Sequence, residues 1–422
     1  MMERLLYYIW KHRLFDANSL TTTSGEPLEI IDPGTQNLNA GPDFFNAKIR
    51  IGHTVWAGNV EIHTAASDWF KHHHGDMSIY DTVILHVIKQ EDAIIYRQNG
   101  EAIPQLLLPY PDTIEQHYAY LLHSDAPISC SLRLHEIPTL FLSAWMDVLQ
   151  TERLEQKVSR IQHLLHQCKN NWEETFYITL AHYFGVGVNG DAFERLARSL
   201  PFQIILKHSD SPHQVEALLF GQSGLLSADC DDAYFLSLKD EYQFLQQKYQ
   251  LKEIDHCSWK WYRLRPTNFP EIKIAQFAAI YRSTTGLFSK ILAATNPTEL
   301  SKLFKVNPSP YWETHYNFGK PSSTSKKQLG EKMIDSLLIN VVAPAFFSYG
   351  NSNHQREFTE KALKLLENLP AEQNHITKEW QECGLTINTA ADSQALIQLK
   401  QEYCEKKKCI FCRIGQKLLA KT

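Results

Sequence analysis

The fold of this chain is decided by residues 41–88, GPDFFNAKIRIGHTVWAGNVEIHTAASDWFKHHHGDMSIYDTVILHVI. Apolar and polar residues alternate over 45–51, which is the period-two pattern of a strand buried on one face. A second strand is predicted over about 55–63, after a turn at Gly52. A third, over 83–88, is apolar on both faces apart from one histidine, as expected of a central strand. The stretch therefore predicts a sheet formed largely within its own length.

Two acids and a histidine fall together in this predicted sheet. Asp43 precedes the first strand, while Glu61 and His63 share one face of the second because residues two apart in a strand point the same way. Two carboxylates beside a base or ligand suit a hard divalent cation such as Mg²⁺ or Mn²⁺. We interpret Asp43 and Glu61 as candidate metal ligands. The alternative is a simple turn at Pro42-Asp43 and a solvated glutamate on an outer face.

These residues resemble the motif of the PD-(D/E)XK nuclease superfamily, which is Pro-Asp before one strand and acid-x-Lys on the next. Pro42-Asp43 matches the first half and Glu61-Ile62-His63 the second. The resemblance implies that Asp43 and Glu61 bind a metal ion, and that His63 stands where a lysine assists the attacking water. The histidine is a departure from the motif, because a neutral imidazole is not a fixed positive charge.

The predicted order of elements is also similar to that of a restriction-endonuclease-like core. A helix over 3–15 and a strand over 28–32 precede the two central strands, and a short helix starting at Ser67 precedes the strand over 83–88. This resemblance covers about the first third of the chain. Glu3 on the first helix is a further candidate for the site, with a surface glutamate as the alternative.

Over its whole length the chain resembles a bacterial protein family of unknown function. The segments that carry this resemblance are AGPDF, GNVEIH, SDW, YDTVILHV, RLRPTNFP and the cysteine-rich end. It implies no activity.

More histidines follow the predicted strands. His72, His73 and His74 are consecutive, and three consecutive residues of a helix point in three directions, so at most two of them can reach one ion. Surface histidines are the alternative interpretation. His86 lies in the buried strand and is predicted to be a hydrogen-bonded core residue instead of a ligand.

Composition sets the broad class. A length of 422 residues gives room for two or three domains, and 43% hydrophobic residues is ordinary for a globular protein. A net charge of −5 argues against a generally basic nucleic-acid binder, although a local basic channel is compatible with it. We predict no membrane association from the sequence, and a cytoplasmic location follows as the default.

The predicted class is α+β, with two domains. Prolines cluster over 109–138 and place the boundary there, so that residues 1–137 form a mixed α/β domain and residues 138–422 a larger all-α domain. A hairpin is predicted over 93–108, turned at Asn99-Gly100. One long helix is predicted over 140–167.

A second chemical cluster lies at the C-terminus. Cys404, Cys409 and Cys412 fall within nine residues, and thiolate sets of this kind bind zinc or an iron–sulfur cluster. Cys383 is the candidate fourth ligand, with His375 as a substitute. The alternative is three buried thiols on a terminal helix. The remaining cysteines are isolated in the sequence and are predicted to be core residues: Cys130, Cys168, Cys230 and Cys257.

The leading functional hypothesis is a metal-dependent nuclease or phosphodiesterase acting on nucleic acid. Asp43 and Glu61 would hold the ion, and His63 would assist the water or ligate the metal. The runner-up is a non-catalytic nucleic-acid-binding or interaction protein that retains a degenerate nuclease-like fold, and the missing lysine favours it. A third hypothesis is a structural metal protein, in which histidines and terminal cysteines serve stability alone.

Overall fold

The chain forms two compact units in a computed structural model that describes residues 2–185, 187–283 and 286–420. The first unit comprises Met1–Trp145 and Leu399–Thr422, and the second comprises Met146–Gln398. By these contacts the C-terminal cysteines belong to the first unit, whereas the sequence-based division places them in the helical domain of 138–422. The division into separately folding domains stays a prediction.

A six-stranded mixed sheet forms the first unit. Its strands are β1 Leu28–Asp32, β2 Thr35–Gln36, β3 Phe44–Ile51, β4 Thr54–Ala65, β5 Val83–Gln90 and β6 Gln105–Leu107. Their order is β1-β3-β4-β5-β6, with β2 paired to β3. β3 is antiparallel to β1, β2 and β4, and β5 is parallel to both β4 and β6. The strands predicted from alternation are confirmed, and β4 is an interior strand.

The hairpin predicted over 93–108 is confirmed in part. The chain turns back at Asn99-Gly100, with an antiparallel bridge between Tyr96 and Ala102 and a hydrogen bond from the Ile103 N–H to Ile95 O at 2.9 Å. The returning segment then pairs with β5 as the parallel strand β6, which ends the strand order. Pro104, directly before β6, suits this edge position because proline has no N–H to donate.

Three helices accompany the sheet in the N-terminal part of the first unit: α1 Met2–His12, α2 Asp68–Lys71 and α3 Asp112–His123. α1 buries Leu5, Leu6, Ile9 and Trp10, residues at helical spacing that form one apolar face. This face packs α1 against β4, and the indole N–H of Trp10 donates to Pro33 O at 3.0 Å. The packing fixes the opposite, more polar side of α1 beside the loop that precedes β3.

The second unit is mostly helical. Its helices are α4 Thr139–Gln167, α5 Trp172–Phe184, α6 Gly190–Ser199, α7 Phe202–Lys207, α8 Pro212–Gln222, α9 Ala233–Tyr249, α10 Pro270–Ser283, α11 Leu287–Ala293, α12 Pro297–Phe304, α13 Glu331–Leu337, α14 Ala343–Ser352, α15 Arg356–Asn368, α16 His375–Glu382 and α17 Ala390–Gln398. The long helix predicted over 140–167 is confirmed by α4, the first seven residues of which belong to the first unit. A two-stranded hairpin, β7 His315–Asn317 with β8 Lys320–Pro321, corrects the all-α prediction. The last helix, α18 Arg413–Leu419, returns to the first unit.

One helical stretch is long and apolar enough to cross a membrane by length and composition. It is Glu331–Ser352, which contains α13 and α14, and 72% of its apolar window is buried inside the protein. The core helix of a soluble protein has these properties too, so the stretch is weak evidence for a membrane span.

Gly58 is the point at which β4 allows the segment before β5 to approach closely. A Cβ on this residue would lie 2.8 Å from Thr82 O and closer still to the Ile84 side chain. We expect Gly58→Ala to lower the free energy of unfolding by about 1–3 kcal/mol, the usual effect of overpacking. Gly330→Ala is the matched control, because a Cβ there meets nothing within 4 Å. Equal unfolding free energies for the two variants in urea titrations would contradict this account.

Candidate metal centre

Asp43 and Glu61 lie side by side where β3 begins against the middle of β4. The main-chain N–H of Asp43 donates to Glu61 Oε2 at 3.1 Å, and the N–H of Ile62 donates to Asp43 Oδ2 at 2.9 Å. Each carboxyl group is therefore held by the backbone at or beside the other acid. Glu61 is 4% exposed, so the outer-face alternative for this residue is wrong.

A β-bulge explains why the strands open at this point. The β3–β4 register shifts between Phe44 and Ala47, and Asn46 has a φ of 57°, in the left-handed region that asparagine tolerates. Its N–H donates to Asn59 Oδ1 at 3.2 Å instead of to a ladder carbonyl. Bulges re-aim neighbouring residues, and here Asp43 comes to face the buried side of β4.

Burial changes the protonation of both acids. It raises the pKa of Glu61 to about 8. It also raises the pKa of Asp43 to about 7, and the charge of Glu61 adds to the effect, whereas the Ile62 N–H and the Tyr7 hydroxyl lower it. A divalent cation between the two groups would favour the ionised forms of both. The carboxyls thus hold protons near neutral pH in a place where a cation can replace them.

α1 closes the site from a second element. The Tyr7 hydroxyl donates to Asp43, and burial together with the charge of Asp43 raises the pKa of Tyr7 far above its usual value. Glu3, one turn earlier, adds negative charge that raises the pKa of both acids. Sequence reasoning named Glu3 and missed Tyr7. The sequence did indicate Tyr7, since it lies four residues after Glu3 and residues four apart share a helix face.

Two of the three consecutive histidines turn toward β4, His72 to His63 and His74 to Glu61. His73 has a φ of 56°, and this left-handed residue reverses the chain between its neighbours, so that His72 and His74 both turn toward β4. His72 Nδ1 lies 3.1 Å from His63 Nε2. One ligand atom from each of His63, His72 and His74 lies within 4.8 Å of the other two, which is the spacing of a metal-binding group.

His74 carries the clearest sign of a ligand that is not part of the chain. Its side chain is 9% exposed, and Nε2 lies 3.1 Å from Glu61 Oε1, yet neither ring nitrogen forms a hydrogen bond of good geometry with a described residue. The ring stacks on Tyr80 with centroids 3.9 Å apart. A buried, rigidly packed imidazole facing a carboxylate without a hydrogen bond fits a metal ion bound by both.

His63 is the first member of a buried hydrogen-bonded chain across three strands. His63 Nδ1 lies 2.9 Å from His86 Nε2, and His86 Nδ1 lies 3.4 Å from the Gln105 amide. Burial and the neighbouring histidines lower the pKa of His63 to about 2 and that of His86 to about 3, so both rings are neutral. His86 is therefore a hydrogen-bonded core residue, as predicted. Gln105 was not identified from sequence.

The orientation of the Gln105 amide determines which nitrogen of His63 faces the site with a lone pair. If the amide NH₂ donates to His86 Nδ1, then His86 Nε2–H donates to His63 Nδ1, and His63 Nε2 carries a proton. If the amide oxygen accepts instead, both donors reverse and His63 Nε2 presents a lone pair. A neutral His63 can therefore act as a donor or as a ligand at the site, but not as a cation.

Three of the four predicted cysteine ligands meet in the first unit. Cys404, Cys409 and Cys412 line one small cavity together with Cys130. Cys130 was predicted to be an isolated core residue. The predicted fourth ligands both lie in the second unit, where His375 begins α16 and Cys383 directly follows its last residue. Cys130 is a single cysteine far from the others in sequence, so no local pattern predicts that it lies beside Cys404, Cys409 and Cys412.

The metal-free protein should lose stability as pH rises. The folded pKa values of Asp43 and Glu61, about 7 and 8, exceed the ordinary 3.8 and 4.5. Between these limits the folded chain binds more protons than the unfolded chain, so the free energy of unfolding falls with rising pH. We expect the Tm in a chelator to fall from about pH 5 to about pH 8, and to fall less for Glu61→Gln.

Thermal unfolding in EDTA and in Mn²⁺ measures both effects. Mn²⁺ should raise the Tm most at the alkaline end, since metal binding displaces protons from the carboxyls. Identical pH profiles for wild type and Glu61→Gln in the chelator would show that these carboxyls do not carry the effect.

Comparison with known proteins gives a family and no activity. No curated protein and no solved structure matches this chain. A family model described as a protein of unknown function, DUF2851, matches residues 3–375. This match covers most of the chain, and the protein belongs to that family.

Proposed function

We propose that this protein is a metal-dependent nuclease or phosphodiesterase acting on nucleic acid. The observation that carries the proposal is the pair of buried carboxyls of Asp43 and Glu61, each held by backbone beside the other, with Nε2 of the buried His74 ring 3.1 Å from Glu61 Oε1. Buried like charges are unfavourable without a cation. A metal ion would offset the repulsion between the carboxylates and bind the imidazole nitrogen that faces Glu61.

The donor set favours Mn²⁺ over Mg²⁺. Mg²⁺ sites consist of one or two carboxylates and several waters, whereas imidazole suits the transition metals. Asp43 and Glu61 supply oxygen, and His74 supplies nitrogen 3.1 Å from Glu61 Oε1. Mn²⁺ accepts both kinds of ligand. His72 and His63 stand close enough to complete the set.

The ion would lower the pKa of a bound water and stabilise a phosphate oxygen. The chain's own residues have three tasks beside it. Tyr7 fixes the Asp43 carboxyl by donating to it. The backbone amides of Asp43 and Ile62 fix the direction of both carboxyls. His63, neutral and fixed by His86, either donates a hydrogen bond from Nε2 or uses the lone pair of Nε2 to bind the ion or accept a proton, according to the Gln105 orientation.

The order of elements supports a nuclease over other metal enzymes. α1, β1, β3, β4, α2 and β5 follow one another with antiparallel pairing up to β4 and a parallel β5. This is the helix-strand-strand-strand-helix-strand order that the resemblance to PD-(D/E)XK nucleases implies. Asp43 and Glu61 stand at the motif positions within it. A phosphodiester is the substrate that such a centre acts on.

A non-catalytic nucleic-acid-binding protein with a degenerate nuclease-like fold is the second candidate. The observation that favours it is the pKa of His63, lowered to about 2 by burial and neighbouring histidines. Where the motif has a lysine, this chain has a neutral ring that supplies no positive charge to a transition state.

The direct test is cleavage of single- and double-stranded DNA and RNA with Mn²⁺, Mg²⁺ or EDTA. We expect Mn²⁺-dependent cleavage, which falls by about 10²-fold or more in Asp43→Asn and Glu61→Gln, since a catalytic metal supplies several kcal/mol. Glu29→Gln is the matched control. It removes an exposed carboxyl on β1 that pairs with Arg50 and should leave the rate unchanged.

Each outcome separates the candidates. Metal-dependent binding of nucleic acid without cleavage would overturn the enzyme proposal in favour of the second candidate. Metal binding without either activity would favour a structural centre. Cleavage by Glu61→Gln at the wild-type rate would show that the reaction occurs elsewhere in the chain.

Gln105 tests the hydrogen-bonded chain behind His63. Gln105→Leu removes the amide that sets the His86 tautomer, and loss of such outer partners costs about 10-fold or more in metal affinity or activity. We expect weaker Mn²⁺ binding by calorimetry, with partial recovery in Gln105→Asn. The exposed Gln90 at the end of β5 gives a control variant, Gln90→Leu. Unchanged Mn²⁺ affinity in Gln105→Leu would rule out a positioning role.

A further inference from the structure

Four cysteines from separated parts of the sequence surround one cavity in the first unit. Cys130, Cys404, Cys409 and Cys412 line a space of about 20 Å³. Cys130 precedes a short 3₁₀ helix, and the other three lie on the segment between α17 and α18. None of these four is in a disulfide. The meeting of so many thiols is not required by packing, since small apolar residues would fill the space equally well.

The local backbone is shaped to bring the sulfurs together. Lys407 has a φ of 48°, which reverses the chain between Cys404 and Cys409. Its ammonium donates to Ser124 O and Ser129 Oγ, both at 2.9 Å, and so ties this turn to the segment that carries Cys130. A Cβ on Gly415 would overlap the Cys409 carbonyl group, so α18 approaches the turn as closely as glycine permits.

Polar and charged groups lie near the sulfurs. Burial raises the pKa of Cys412, and the backbone amides of Gly415 and Ile414 act against that rise. The positive charges of Lys400 and Lys407 act in the same way on Cys404 and Cys409 respectively. Polar groups around the sulfur ligands are a regular feature of metal–thiolate centres.

Burial and mutual repulsion act in the opposite direction. Burial and the three other cysteines raise the pKa of Cys404 well above its usual value, and burial with Cys412 raises that of Cys409 to about 11. A thiophilic metal binds the thiolate form of cysteine and releases the proton.

We propose that Cys130, Cys404, Cys409 and Cys412 form a thiolate-only metal centre that joins the C-terminal segment to the segment around residue 130. The proposal does not depend on the nuclease function. It assigns Cys130, not Cys383, as the fourth ligand. The centre would anchor the turn after the last π-helical residues, Leu399–Cys404, to the part of the chain beside α3.

The test is metal analysis of the full-length protein purified without oxygen. We expect bound metal, either zinc or iron with an equal amount of acid-labile sulfide, and either result supports the four-cysteine site. A protein that contains neither metal would overturn it. Cys130→Ser and Cys409→Ser should contain on the order of tenfold less metal per chain. Cys383→Ser, the matched control, should contain as much as wild type.

A second measurement protects the test against variants that fail to fold. Thiol labelling of the wild type, with peptide mapping, should show these four cysteines protected before metal removal and reactive after it. A metal-free wild type that cannot be reconstituted with ferrous iron and sulfide or with zinc would overturn the proposal. So would a disulfide within the set, or metal lost in Cys383→Ser and kept in Cys130→Ser.

Discussion

The first unit depends on the two backbone hydrogen bonds that hold the carboxyl groups of Asp43 and Glu61 beside each other. Two carboxyls buried side by side repel when ionised, and isolated ions lose several kcal/mol of hydration on burial. The backbone N–H groups of Asp43 and Ile62 and the Tyr7 hydroxyl offset part of this loss. These donors orient the acids but leave their pKa values near neutrality. The two carboxyl groups are stable side by side when they are protonated or when a cation lies between them. These two alternatives are the chemical basis of a metal site.

The histidine cluster follows the same principle with nitrogen atoms. Burial, with a smaller effect from neighbouring histidines, lowers the pKa of His63 and His86, so these neutral rings interact through a shared hydrogen. His74 stands outside that chain, stacked on Tyr80 and turned to Glu61. A neutral imidazole with an open lone pair is the protonation state that metals require. A lysine at position 63, as in the nuclease motif, would place a fixed positive charge beside these rings and oppose a cation bound there.

The sequence was informative wherever the interactions were local. Alternation predicted β3 and β4, and the two-residue period placed Glu61 with His63. It failed where a single backbone dihedral decided the outcome. The left-handed conformation of His73 brings His72 and His74 to one side, and helix geometry cannot anticipate it because α2 has only four residues. It failed also for partners distant in sequence, since nothing local to Cys130 or Gln105 distinguishes them from ordinary core residues.

α1 links the two candidate centres of the first unit. Tyr7 contacts Asp43 on one side, while the hydroxyl of the next residue, Tyr8, donates to Gln416 O in α18 at 3.3 Å. α18 in turn begins directly after Cys412, which is its N-cap residue. Oxygen and imidazole ligands select one class of metal and thiolates another, so the two centres need not compete for the same ion. Because α18 also touches α1, a metal at the cysteines would stiffen the helix that holds Tyr7 in place. The thiolate centre would then affect the carboxylate site only by holding Tyr7 in position, and it would take no part in the chemistry there.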